Sequence, residues 1–430
     1  MTSTATAAAP PSASSYTAYA RWAIVVLLAV ASIIAYIDRV NLSVALIDTD
    51  FKDFFQLTNT DRGFVNSAFF WSYAAMQIPA GWIVDRYGSK YPLAMSFLVW
   101  SLLTAVTSLA TGFTTLFLIR FLLGFGESVI HPASMRWIRF NFPERNRGLA
   151  IGLFMSGSKF GPAIGAVLAA WLIESYGWQA MFLILGLVSL IWLAPWILFV
   201  RGDRETGSAM QSKAEAAAQA GADVPMRRLL ASPVLLGTII GTFCYMYFVY
   251  FCLTWMPAYL SEERGLSLKS SSLFTTFSFA GMATVAIIGG WAADRLIARG
   301  LDPVKVRKGF TIAGFLVAST ELVGATASSL DVALFFSVLS LSGLGLATAN
   351  YWALTQTLIP SGSIGRIVGV QNCAASVAGI VAPILTGWLV DRTGAYEAPM
   401  QTVLVFLVLG IFVYLFLVRE KFAPVRTASA

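Results

Sequence analysis

Residues 22–46 read WAIVVLLAVASIIAYIDRVNLSVAL, an apolar run interrupted only towards its end by Tyr36-Ile37-Asp38-Arg39-Val40-Asn41. About 20 apolar residues in a helix cross the ~30 Å of hydrocarbon in a bilayer, so this run is long enough to span a membrane. Inside such a span a carboxylate or a guanidinium costs about 2.5 to 3.5 kcal/mol on insertion scales, and charges kept at that depth line a polar pathway or pair with one another. A second run, Phe113 to Trp137, repeats the anomaly with Arg120, Glu127 and His131. The two together point to a membrane protein that carries a charged solute.

Composition agrees. Hydrophobic residues make up 57% of the chain against 12% charged, with a mean hydropathy of +0.73, far more apolar than a soluble domain of this length. Twelve apolar segments are long enough to span, at about 22–46, 63–84, 91–110, 113–137, 148–174, 178–200, 232–260, 271–293, 308–328, 330–358, 367–390 and 398–418. With both termini cytoplasmic, 21 Lys and Arg fall on the inner side. Five (Lys52, Arg62, Arg264, Lys269, Arg392) fall outside, and Arg39, Arg120 and Lys159 lie within spans. That is a strong positive-inside bias, and it accounts for the net charge of +7. No basic stripe with interleaved aromatics suggests nucleic-acid binding.

The cysteines, Cys244, Cys252 and Cys373, sit in apolar segments without a paired spacing, which predicts no disulfide and no metal site. A single histidine, no Ser-His-Asp set and no phosphate loop argue against an enzyme and against a cofactor. Residues 1–20, rich in Ala, Ser, Thr and Pro without a basic start, are expected to form a disordered cytoplasmic tail.

The chain also repeats itself. Gly81-Trp82-Ile83-Val84-Asp85-Arg86 closes the second span and Gly290-Trp291-Ala292-Ala293-Asp294-Arg295 closes the eighth; Trp171-Leu172-Ile173-Glu174 and Trp388-Leu389-Val390-Asp391 close the fifth and eleventh. An all-α membrane protein of two six-helix pseudo-repeats follows. We place the first bundle at 21–200, a cytoplasmic linker at 201–230, the second bundle at 231–421 and a cytoplasmic tail at 422–430.

Gly81-Trp82-Ile83-Val84-Asp85-Arg86-Tyr87-Gly88-Ser89-Lys90 resembles the loop motif of the major facilitator superfamily. Tyr36-Ile37-Asp38-Arg39-Val40-Asn41-Leu42-Ser43, with Arg120 and Gly124-Phe125-Gly126-Glu127 before Pro132, resembles that superfamily's anion:cation symporter family, relatives of sialin and the vesicular glutamate carriers. The likeness runs from about residue 22 to 420. It implies a bacterial inner-membrane protein, alternating access, and proton-coupled uptake of sugar acids and other carboxylates. By the same resemblance Tyr73 and Gln77 sit near the substrate. Lys159 departs from the pattern, since such carriers more often hold a neutral residue there.

Helical geometry assigns roles. Neighbours on a helix point about 100° apart, so Asp38 and Arg39 serve different surfaces. Tyr36 and Arg39 are placed on the cavity, and Asp38 with Asn41 turns towards a neighbouring helix. Arg39 and Arg120 come to similar depths, a pair of planar forks suited to a carboxylate. Asp38 and Glu127 are the candidate proton carriers, because desolvation makes an ionised carboxylate costly. The alternative is that Asp38 with Arg120, or Arg39 with Glu127, are ion pairs holding two helices together. His131 is either a packed helix residue or part of the proton path. Lys159 is either a third cation of the cavity or a neutraliser of a carboxylate.

The second half offers aromatics and amides instead of charge, and Trp352, Gln356 and Asn372 are its candidate substrate contacts. Gly81, Asp85, Arg86, Gly88, Asp294 and Arg295 read as conformational latches, and Glu321 as interfacial. The expected partners are a small organic anion, protons and the lipid bilayer, with the protein a monomer. Hexonate, hexuronate and aldarate remain open as substrates, as do an aromatic dicarboxylate such as phthalate and exchange or uniport without protons.

Overall fold

The computed structural model describes residues 16–142, 144–201, 231–359 and 364–423. Most of the expected tails and of the 201–230 linker lies outside the described residues. Part of the first tail is helical: α1 (Ala18–Ala45) starts inside it, because the Thr17 side chain accepts from the Ala20 N–H at 3.2 Å. Such a cap satisfies one of the donors that a helix start leaves without a partner.

A short α2 (Thr49–Phe55) leads into α3 (Asn59–Tyr87), started by a reciprocal box in which Thr58 caps Asp61 and Asp61 caps Thr58. There follow α4 (Lys90–Val106) and α5 (Phe113–Glu127). The expected fourth span breaks after Glu127 and resumes as α6 (Ile130–Asn141). Pro132 supplies the reason, since it has no N–H to return to the carbonyl four residues earlier. The element α7 (Glu144–Ser189) bends at Gly177, whose φ of 83° interrupts the helix, a conformation that glycine adopts without a steric penalty. After α8 (Leu193–Phe199) the second half runs through α9 (Pro233–Ala258), α10 (Leu268–Ala298), α11 (Pro303–Ala318), α12 (Glu321–Thr326), α13 (Leu330–Leu358), α14 (Ile364–Thr393) and α15 (Glu397–Phe416).

Among the described residues ten helices are long and apolar enough to cross a membrane, the 54-residue stretch Asn146–Phe199 counting as one. The 29-residue α3 is not among the ten. It buries Arg62, Asn66, Ser67 and Ser72, which lower its hydropathy.

Within the first half α1 packs on α7 and α3 on α5; within the second, α13 packs on α10 and α11, and α14 on α9. Among the described residues the halves join chiefly through α3 with α14, α7 with α10, and α1 with α9. The α3–α14 pair is tight at one end only. A Cβ on Gly63 would meet the Pro383 carbonyl oxygen at 2.5 Å, and one on Gly387 the Asn59 carbonyl oxygen at 2.1 Å. Towards the other end Gly81 and Gly369 face open space, and Ile78 and Trp82 are exposed. The α7–α10 pair behaves alike. Thr276 donates to the Ala163 carbonyl at 2.6 Å, while Gly148 and Gly152 are open and Ile287 and Ile288 exposed. The halves therefore meet at the end bearing Asp391 and separate towards the end bearing Asp85.

Polar contacts seal the closed end. Glu262, in a π-helical turn at Tyr259–Glu263, receives Lys52 at 2.6 Å, Arg62 at 3.0 Å and the Tyr396 hydroxyl at 2.8 Å.

Candidate functional site

Three helices of the first half, α1, α3 and α5, meet at Arg39. From α1 its Nε and Nη2 both donate to Glu127 Oε2 of α5, at 3.0 and 2.9 Å. The guanidinium carbon lies 4.4 Å from the Tyr36 ring, 4.5 Å from Phe69 and 5.0 Å from Tyr73. Phe69 and Tyr73 share a face of α3 one turn apart and stack at 5.4 Å. An aromatic box around a weakly hydrated planar cation stabilises it through the ring faces. The pairing uses one carboxylate oxygen, and Glu127 Oε1 is buried without a hydrogen bond.

Arg120 is occupied otherwise. Nη1 donates to the backbone carbonyl of Asp38 at 2.8 Å and Nη2 to Asn41 Oδ1 at 2.9 Å. Asn41 in turn donates to Asp38 Oδ1 at 3.4 Å. Asp38 Oδ2 faces Thr104 of α4 without a hydrogen bond of normal geometry. Asp38 and Asn41 do turn towards neighbouring helices, as their spacing predicts. The two arginines do not form parallel forks; Arg120 ties α5 to α1. They meet at a small cavity of about 10 Å³, lined also by Leu42, Asn66, Phe69 and Phe70 from the first half and by Leu253 and Thr254 from the second, room for about one water.

Of the two readings of the charges, Arg39 with Glu127 is an ion pair in this structure. His131 on α6 joins the Tyr73 hydroxyl through Nδ1 at 3.3 Å and packs edge-on against Phe154, which places it one contact behind the box. Lys159 on α7 is half-buried with neither hydrogen bond nor ion pair among the described residues. Gln77 is half-buried on α3, one turn beyond Tyr73.

In the second half Trp352 is half-buried with its ring 5.2 Å from Tyr351, and Gln356 and Asn372 are exposed. Of the expected latch residues, Asp85 pairs with Arg136 at 3.0 Å and Asp294 with Arg307 at 3.1 Å, each within its own half. Arg86 lies over the Trp82 and Tyr87 rings and Arg295 over Trp291, while Gly81 is open and Gly88 ends α3 at φ 82°. Glu321 is corrected. It is buried, accepting from Ser337 at 3.3 Å and from Ser340, not interfacial.

Two parts of the site escaped sequence reasoning. Phe69 was legible, four residues before Tyr73 on one helix face. Tyr250 was not, because α9 is apolar and aromatic on every side, so no face of it stands out. Its ring packs edge-on against Phe70 at 4.4 Å, across the join between the halves.

A family model for the Major Facilitator Superfamily matches residues 28–383. The chain belongs to the Major Facilitator Superfamily. It is a multi-pass membrane transport protein and not an enzyme. A hexuronate transporter of Bacillus subtilis is 31% identical over 87% of this chain and 89% of its own. A galactarate/D-glucarate transporter of Escherichia coli, so named as probable, is 29% identical over 94% of this chain and 95% of its own. In fold the chain is similar to a bacterial homologue of the human lysosomal transporter Spinster, solved in an inward-facing, occupied conformation. The TM-score is 0.77 at 17% identity, covering 93% of this chain and 97% of that one.

Proposed function

We propose that this superfamily member is a proton-coupled symporter that brings a polyhydroxylated organic carboxylate, a hexonate, hexuronate or aldarate, into the cytoplasm by alternating access. The observation that carries the reading is the pair Arg39–Glu127. The guanidinium best placed to hold a substrate carboxylate is already held by a carboxylate of the protein. A proton on Glu127 removes that competitor, and the substrate carboxylate takes its place. Proton and anion therefore assist one another's binding, and by linkage the assistance is mutual. The relatives' names, hexuronate and galactarate/D-glucarate, support this substrate class.

The remaining roles fit the same scheme. Tyr36, Tyr73, Gln77 and Arg39 form the first half's side of the site, and Trp352, Gln356 and Asn372 the second half's. Asp38 is the second proton carrier. Arg120 holds α1 and α5 in the geometry that lets Arg39 reach Glu127. Dividing the kinked α7 stretch in two and adding α3 gives twelve spans. The distribution of Lys and Arg puts both termini in the cytoplasm, so the end that bears Asp85 opens inwards and this conformation is inward-facing.

Reconstitution in proteoliposomes tests the reading. Uphill accumulation of a sugar acid driven by an imposed pH gradient, with proton entry in step, is the expected result. Counterflow of the anion without proton movement would replace symport with exchange.

A further inference from the structure

The tyrosines of α9 differ in what their hydroxyls do. Tyr245 is bonded to Thr348 at 2.7 Å, and Tyr247 packs on Phe406 at 4.4 Å; both contacts stay inside the second half. Tyr250 leaves it. Its ring lies on Phe70 of α3, and the titratable groups near its hydroxyl are Tyr36, Arg39 and Tyr73 of the first half, with Tyr351 of α13 from its own. The residue is buried, and its hydroxyl makes no hydrogen bond among the described residues.

We infer that Tyr250 is a specificity-determining residue: its hydroxyl hydrogen-bonds an alcohol group of the sugar acid whose carboxylate Arg39 holds. The inference rests on the proposed substrate class and deepens it. A carboxylate on Arg39 leaves the remainder of the molecule beside the aromatic box, where Tyr36, Tyr73 and Tyr250 offer rings and hydroxyls and no further charge. A phenol donates and accepts, which matches an alcohol on either side of the bond. A site built to bond a hydroxyl rejects the analogue that lacks it, because its own polar group is then left without a partner. Because Tyr250 is anchored on Phe70, this contact lies on the join that must loosen when the halves rearrange. A substrate hydroxyl that reaches Tyr250 adds a bridge between the halves there.

Tyr250→Phe isolates the hydroxyl, since the ring and its packing on Phe70 remain. Uptake is compared between wild type and Y250F for D-gluconate, D-glucuronate and D-glucarate, each against its singly deoxygenated analogues, with thermal stability as the control for folding. The expected result is a KM about tenfold higher for the parent acid in Y250F, the size of one hydrogen bond. One deoxy analogue should give the same KM in both proteins. An unchanged KM for every acid, or an equal rise for parents and all analogues, overturns the assignment. Wild type that takes up none of these acids overturns the proposed substrate class and the inference with it.

Discussion

Asp391, at the C-terminal end of α14, caps the N terminus of α3 from the opposite half: its carboxylate accepts from the Thr60 N–H at 2.7 Å and from the Thr60 hydroxyl at 2.5 Å. The Asn59 N–H and side-chain amide add 3.1 and 3.0 Å. A carboxylate there satisfies unpaired helix-start donors and lies at the positive end of the helix dipole. The residues around it, Gly387-Trp388-Leu389-Val390-Asp391-Arg392-Thr393-Gly394, nearly repeat Gly81-Trp82-Ile83-Val84-Asp85-Arg86-Tyr87-Gly88. One motif thus ends both antiparallel helices of the pair, and the Asp391 copy makes a contact between the halves.

Removing this cap should move the conformational balance. The loss of an N-cap is worth about 1 kcal/mol, a factor of roughly five in a two-state equilibrium. Cys373 is exposed on α14 while Cys244 and Cys252 are buried, so a thiol reagent reports on it. Labelling of Cys373 should slow several-fold in Asp391→Ala; an unchanged rate would show that the cap does not hold this state.

Glu127→Gln mimics the protonated acid and frees Arg39. Uphill uptake driven by a pH gradient should be abolished, while substrate binding and exchange persist. Asp38→Asn should likewise lose proton-driven uptake. Accumulation at the wild-type level in both variants would remove these acids from the coupling.

The two arginines should fail differently. Arg39→Lys loses the planar group that lies among three rings and bonds Glu127 twice but keeps a charge that still pairs with Glu127, so substrate binding should weaken at least tenfold with only a modest fall in Tm. Arg120→Ala cuts two buried, charge-assisted bonds between α5 and α1, each worth about 1.5–3 kcal/mol, so Tm should fall as well. Equal effects of the two on Tm would contradict this division.

Lys159 tests the charge of the substrate. Arg39, Arg120 and Lys159 against Asp38 and Glu127 leave a formal +1 with both acids ionised and +3 with both protonated, which leaves room for a second carboxylate. Lys159→Gln should depress transport of an aldarate more than of the matching aldonate. Equal losses would assign Lys159 to structure or to the proton path.

By itself the sequence determined that the chain is a multi-pass membrane protein and singled out the charged residues of its first and fourth spans. Apolar length, the repeated Gly-Trp motifs and the charges in the first and fourth spans are properties of the chain that no packing is needed to read. Helical spacing also separated Asp38 from Arg39, because neighbours on one helix cannot share a face. Tertiary structure decided the pairing. Whether Arg39 meets Arg120 or Glu127 depends on the depth and rotation of α1 against α5, and spacing within one helix says nothing of either. Tyr250 and Glu321 show the same limit: only the contact of Tyr250 with Phe70, and the packing of α12 on α13, revealed where each side chain lies.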